Sequence, residues 1–274
     1  MAFRWTQEPG AFLTAGGRQL EYCCFGDRPQ HGPVIVMLHE GLGSVALWRD
    51  FPQKIAHAIG AGVVAYSRAG YGQSDAADLP RSLDYMTREA MTVLPDVLDA
   101  IGAKKYILLG HSDGATIAAI HGGSVEDFRV RGLILMAPHF FTEPGGLASI
   151  AEAKAAFEAG DLKAKMAKYH RDPEATFRGW NDAWLDPGFK AWNVADVIDY
   201  FRIPVLAIQG ADDQYGTRAQ IDEVANRSYA PVDVEIIPDC RHSPFIDRPA
   251  ATLAAITEFV LRLNRIEAAE VEIA

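Results

Sequence analysis

The 274-residue chain is poor in cysteine, in basic side chains and in long apolar runs, and each shortage closes off a class of protein. Three cysteines, Cys23, Cys24 and Cys240, cannot all pair with one another and show no metal-ligand spacing. A reducing compartment is therefore expected, with neither a structural disulfide nor a metal site. Lys and Arg number 26 against 36 Asp and Glu, and the net charge of −10 argues against nucleic acid as a partner. No apolar stretch is long enough to span a bilayer, and the first ten residues carry no signal-peptide pattern. The expectation is a cytoplasmic protein without membrane contact. Internal repeats and low-complexity segments are also missing.

What is present suits one globular domain with an insertion, since a hydrophobic fraction of 49% supplies enough apolar side chain for a sizeable core. Short β-branched runs alternate with helical patterns: Val34 to Leu38, Val63 to Tyr66, Tyr106 to Leu109, Leu133 to Met136 and Val205 to Ile208, with Val232 to Ile237 as candidate last strand. Runs apolar on both faces and separated by helices predict a mostly parallel central sheet flanked by helices, an α/β protein. Leu253, Ile256, Val260 and Leu263 recur at helical spacing behind Pro249, a suitable first-turn residue. Met86, Ala90, Leu94 and Leu98 do the same within 83–101, where Pro95 should kink or divide the helix. Between Pro138 and Ile203 the strand pattern stops, and an Ala/Glu/Lys-rich stretch is followed by Trp180, Trp184 and Trp192. The chain thus divides into a core, 1–137 and 204–274, and a helical cap insertion, 138–203.

Gly110-His111-Ser112-Asp113-Gly114 lies directly after one apolar run and directly before Ala115 to Ile120, which reads as a helix. Strand, sharp turn and helix are what a nucleophile elbow needs: glycines admit close backbone approach and the serine is held exposed at the helix N-terminus. Gly-x-Ser-x-Gly alone is a weak signal; its place between strand and helix gives it weight. His242 sits in a loop after the last candidate strand and before the last helix, where an imidazole can reach the C-terminal edge of the sheet. After the run Val205 to Ile208, Asp212 and Asp213 offer adjacent carboxylates, of which one can face the histidine.

Elbow, acid turn and histidine loop together resemble the α/β-hydrolase superfamily, over nearly the whole chain from Leu20 to Leu263. In that pattern the acid is the third residue after the glycine, which selects Asp213 over Asp212. The resemblance implies a serine hydrolase of carboxylesterase type with Ser112 as nucleophile, His242 as base and Asp213 as orienting acid, working on a small molecule without cofactor. Two further segments fit it. His39 to Ser44 follows the first strong strand, where such hydrolases carry a His-Gly turn, and Ser67 to Ser74 is similar to their Asp-x-Arg-Gly-x-Gly-x-Ser turn. By that alignment the oxyanion hole is made by the backbone N–H groups of Gly41 and Asp113. Glu40 stands where glycine is usual, and puts a carboxylate near the site.

The Ser-Asp-Gly elbow resembles valacyclovirase-type (biphenyl hydrolase-like) esterases, which implies that Asp113, with Glu40, biases the pocket toward polar or cationic acyl groups. A helix N-terminal acid stabilised by the macrodipole explains Asp113 equally well. Glu40, His111 and Trp184 are taken as candidate substrate contacts; Trp180, Trp192 and Phe189 either line the same pocket or anchor cap helices to the core. The serine at 112 speaks against haloalkane dehalogenases and epoxide hydrolases, which resemble the chain but use an aspartate nucleophile. Two alternatives remain: a carbon–carbon bond hydrolase of ring-cleavage products, and a non-catalytic ligand-binding protein on the same fold. A homodimer is compatible with the sequence, which locates no interface.

Overall fold

The computed structural model describes residues 3–30 and 32–273. Eight strands form one sheet: β1 (Ala11–Ala15), β2 (Arg18–Phe25), β3 (Val34–Leu38), β4 (Gly62–Tyr66), β5 (Tyr106–His111), β6 (Val130–Met136), β7 (Val205–Gly210) and β8 (Val232–Ile237), in the order β1-β2-β4-β3-β5-β6-β7-β8. β3 to β8 run parallel, while β2 is antiparallel to both β1 and β4. All six expected strands are present. The β1–β2 hairpin was not read from the sequence, because its half-exposed positions Arg18, Gln19 and Glu21 break the apolar runs. A signal existed in Gly16-Gly17, whose positive φ values (57° and 71°) supply the two left-handed positions a tight hairpin turn demands.

Side-chain alternation along the parallel strands builds two apolar layers, one on each face. Val34, Val36, Leu38 and Leu108 belong to one, Ile35, Met37, Ile107 and Leu109 to the other. The helix Pro249–Ile273 covers the second layer with Ile256, Phe259 and Val260, which fulfils the expected helical spacing and carries the tail past Asn264 in the same helix. Phe259 is 2% exposed there, so Phe259→Ala should lower unfolding stability by about 3–5 kcal/mol, read as an earlier urea midpoint at unchanged slope. Pro95 divides its helix as expected. A π-helical turn, Glu89–Val93, separates Tyr85–Arg88 from Leu94–Ile101, and the proline occupies the first turn of the latter segment, where its missing N–H costs nothing.

Between β6 and β7 the chain forms the helices Pro144–Ala159, Leu162–Met166 and Pro173–Leu185, followed by short 3-10 turns to Tyr200. Since β3 to β7 are parallel, the segments that follow their C-terminal ends gather at one edge of the sheet. β3 has β4 on one side and β5 on the other, so the chain turns in opposite directions after β3 and β5 and leaves a crevice between them, the usual place for a ligand in such sheets.

Candidate active site

Ser112 links β5 to the helix Asp113–Ser124 with φ 53° and ψ −120°, a strained conformation for a residue with a side chain. Its neighbours explain the spacing of the motif. A Cβ at Gly110 would collide with the backbone of Gly114 and Ala115, and one at Gly114 with the carbonyls of Leu38 and His39, so the elbow closes only with glycine at both places. The strain lifts the serine above the strand into a cavity of about 190 Å³ that His242 also lines.

His242 Nδ1 lies 2.9 Å from both carboxylate oxygens of Asp213. A carboxylate accepts, so Nδ1 carries hydrogen and Nε2 is left for the serine side. Asp213 is fixed in turn by the Gln209 amide at 2.8 Å and the backbone N–H groups of Tyr215 and Gly216 at 2.8 and 3.3 Å. Burial pushes the Asp213 carboxyl up, but the imidazole and its hydrogen bonds outweigh this and hold it below its ordinary value. Asp212 is exposed and makes none of these contacts. Among the described residues no hydrogen bond joins Ser112 Oγ to His242; such contacts are commonly long without substrate and tighten in the reacting complex.

The turn after β3 has its carbonyls tied back on three sides. The Arg68 guanidinium, fully buried, donates to His39 O and Glu40 O; His39 Nδ1 donates to Glu40 O at 2.7 Å, and His170 Nε2 to Leu42 O at 2.9 Å. Gly41 lines the cavity, and its N–H makes no hydrogen bond among the described residues. Asp113 begins a helix, so its N–H has no intrahelical partner either. A Cβ at Gly41 would strike the indole of Trp180. Gly41→Ala should therefore shift both turn and indole and lower the midpoint of a thermal melt; if the Gly41 N–H is an oxyanion donor, as the resemblance implies, kcat should also fall by about 100-fold.

The structure sorts the other candidates. Glu40, Asp113 and Trp184 line the cavity; Trp180 does too, whereas Phe189 and Trp192 stack on each other behind Trp184 and serve as anchors. His111 does not line it. It points away from the cavity, fully buried, with Nε2 2.7 Å from the backbone carbonyl of His242, because side chains alternate along β5 and Ser112 takes the opposite side. That removes His111 as a substrate contact. The Asp113 side chain is likewise fully buried: Oδ2 accepts from Tyr85 OH at 2.5 Å and faces Arg68 at 3.9 Å, while Oδ1 has no partner. Burial raises its pKa against the opposing pull of Arg68 and Tyr85.

Among the lining residues that escaped the sequence reading are His139 and Tyr215. His139 follows β6 and packs 5.7 Å from the His242 ring; burial, then the neighbouring His242, lower its pKa to about 3, so it is a neutral wall at ordinary pH. Tyr215 stacks edge-on against His242 at 4.8 Å. Their signal lay in place rather than motif: both follow the C-terminal end of a parallel strand.

A parallel sheet with a strained serine between strand and helix and a carboxylate-held histidine beyond the last strand define an α/β-hydrolase arrangement. Residues 35–256, more than half of the chain, match the alpha/beta hydrolase family, and the chain belongs to it. Epoxide hydrolase B of Mycobacterium tuberculosis (strain ATCC 25618 / H37Rv) is 34% identical over 108 residues, 39% of this chain and 29% of that protein, so the chain spans under a third of that relative's length. Proline iminopeptidase of Lactobacillus delbrueckii subsp. bulgaricus is 22% identical over 89% of this chain and 95% of that one. A thermophilic esterase from Thermogutta terrifontis superposes with a TM-score of 0.71 at 16% identity, over 93% of this chain and 99% of the other, a likeness of fold. Among the described residues no helix is long and apolar enough to cross a membrane.

Proposed function

We propose that the protein hydrolyses a carboxylic ester of a small molecule through Ser112, His242 and Asp213. The observation that carries this is Ser112 held at φ 53° over the same cavity as an imidazole whose Nδ1 is fixed by Asp213. Ser112 Oγ attacks the carbonyl carbon, and its proton passes to His242 Nε2. Negative charge develops on the carbonyl oxygen, where the N–H groups of Gly41 and Asp113 receive it. The tetrahedral intermediate collapses, His242 returns the proton to the leaving alcohol, and an acyl-enzyme remains. Water repeats the cycle and releases the acid. Asp213 holds the tautomer and stabilises the imidazolium. The helices between β6 and β7 act as the cap, bringing Trp180 and Trp184 over the serine.

The two carboxylates do not add up to an ammonium site. Asp113 lies 3.9 Å from the Arg68 guanidinium and Glu40 3.5 Å from His111 Nδ1, so neither carboxylate stands alone beside the cavity. What the cavity offers beside them is Leu42, Ile150, Trp180 and Trp184, walls for a small uncharged acyl group. Epoxide opening is not proposed, because residue 112 is a serine and not a carboxylate.

A fluorophosphonate probe followed by a panel of p-nitrophenyl acetate, p-nitrophenyl butyrate, an α-amino acid ester and a prolyl anilide tests the reading. Labelling with fastest turnover of the short neutral esters is expected. Faster turnover of the amino acid ester would return Glu40 and Asp113 to substrate recognition; the prolyl anilide alone would make the protein a peptidase. An unlabelled protein that turns over none of the panel would leave a binding function.

A further inference from the structure

Glu40 lines the cavity and His111 is buried outside it, and neither has a part in the chemistry just described. His111 ends β5, and its Nε2 meets the backbone carbonyl of His242 at 2.7 Å. A carbonyl only accepts, so Nε2 carries hydrogen. Its Nδ1 is buried without a hydrogen-bond partner and faces Glu40 Oε2 at 3.5 Å, beyond a good hydrogen bond and within ion-pair range. If the ring held only the Nε2 hydrogen and Glu40 were ionised, two acceptor lone pairs would face each other across 3.5 Å with the His111 side buried and the Glu40 side chain 27% exposed, an unfavourable arrangement. One further proton between them turns that opposition into attraction.

The neighbours leave these two groups to each other. Arg68 bears on Glu40, but it already faces Asp113 and spends its donors on the carbonyls of His39 and Glu40. His170 also bears on Glu40, yet its Nδ1 accepts from Gly72 N–H and its Nε2 donates to Leu42 O. On the far side of His111 stand His242, engaged by Asp213, and His139, which is neutral. Phe245 packs edge-on against the His111 ring at 5.4 Å and Trp48 lies at 6.3 Å, so the imidazole is held against rotation.

We propose that Glu40 and His111 are a second carboxylate–imidazole pair, sharing one proton, that ties the oxyanion turn to the loop carrying the catalytic base. This rests on the assignment of Ser112, His242 and Gly41 given above. Glu40 immediately precedes Gly41, and its own carbonyl is held by Arg68 and His39; its carboxylate holds His111, and His111 holds the carbonyl of His242. One relay therefore spans from the oxyanion donor to the base, passing behind Ser112. Both are positioning residues, with no part in the proton transfer itself.

Kinetics with p-nitrophenyl acetate and histidine-selective nitrogen NMR test the pair together. Glu40→Ala is expected to lower kcat by roughly 10- to 100-fold, the scale of a misplacement near 1 Å, with KM within about twofold. Glu40→Gln should recover part of that rate, since its amide donates to an imidazole that no longer needs a second proton. At neutral pH the wild-type His111 ring, assigned by its disappearance in His111→Gln, should bear hydrogen on both nitrogens, and in Glu40→Gln on Nε2 alone. A wild-type ring with a single protonated nitrogen, or a Glu40→Ala protein with wild-type kcat, would overturn the proposal. The nitrogen spectrum requires no turnover. A protein lacking Ser112-dependent hydrolysis would thus sink the esterase reading, while the spectrum still decides the pair.

Discussion

Ser112→Ala is expected to lower kcat for p-nitrophenyl acetate by about 10⁴- to 10⁶-fold and to abolish fluorophosphonate labelling. The size follows from what the serine alone supplies. Without Oγ no acyl-enzyme forms, and water attacking directly gains only what the oxyanion donors and substrate binding provide, a residual of about 10³–10⁴ over the uncatalysed rate. Stability should move in the opposite direction or not at all, because the hydroxyl makes no structural hydrogen bond among the described residues while φ 53° costs any side chain about as much. A smaller gap in rate, or labelling that survives in the mutant, would place the nucleophile elsewhere.

The second large effect separates two adjacent carboxylates. Asp213→Asn should cost about 10⁴-fold in kcat, because an amide at 213 can offer its N–H to Nδ1 and leave the imidazole in the wrong tautomer, with the hydrogen on Nε2. Asp212→Asn should stay within about twofold, as an exposed turn residue with no contact to His242. Stability carries an independent sign. The folded Asp213 carboxyl lies below its ordinary value, so its ionised form stabilises the fold at pH above the unfolded carboxylate range. That contribution is lost as pH falls through the folded value. The stability difference between wild type and Asp213→Asn, measured by urea unfolding, should accordingly shrink on acidification. Equal kcat losses for both variants would mean that His242 changes partner in the reacting complex.

Much of the site was legible because its parts are local. Ser112 stands between Gly110 and Gly114 in a motif only five residues long, and Asp213 and His242 follow strands that announce themselves as apolar runs. His139 and Tyr215 were not legible, since a lining residue needs no particular neighbour in sequence. His111 was misread for a related reason. Its place beside Ser112 suggested a substrate contact, whereas strand alternation turns it to the buried side, against a carbonyl 131 positions away. The hairpin β1–β2 was lost because the half-exposed positions of the edge strand β1 and its neighbour β2 carry polar residues, and periodicity weakens with exposure.

By itself the sequence determined the alternation of strands and helices, the elbow motif and the order of Ser112, Asp213 and His242 relative to the strands, because each is carried by one short segment. The tertiary structure alone decided which carboxylates are free. Asp113 and Glu40 read as two negative charges at one site, but folding sets Arg68 against the first and His111 against the second, from segments 45 and 71 residues away. The sign of a pocket is a sum over groups that only the closed sheet brings within a few ångströms, and no motif spacing encodes that sum.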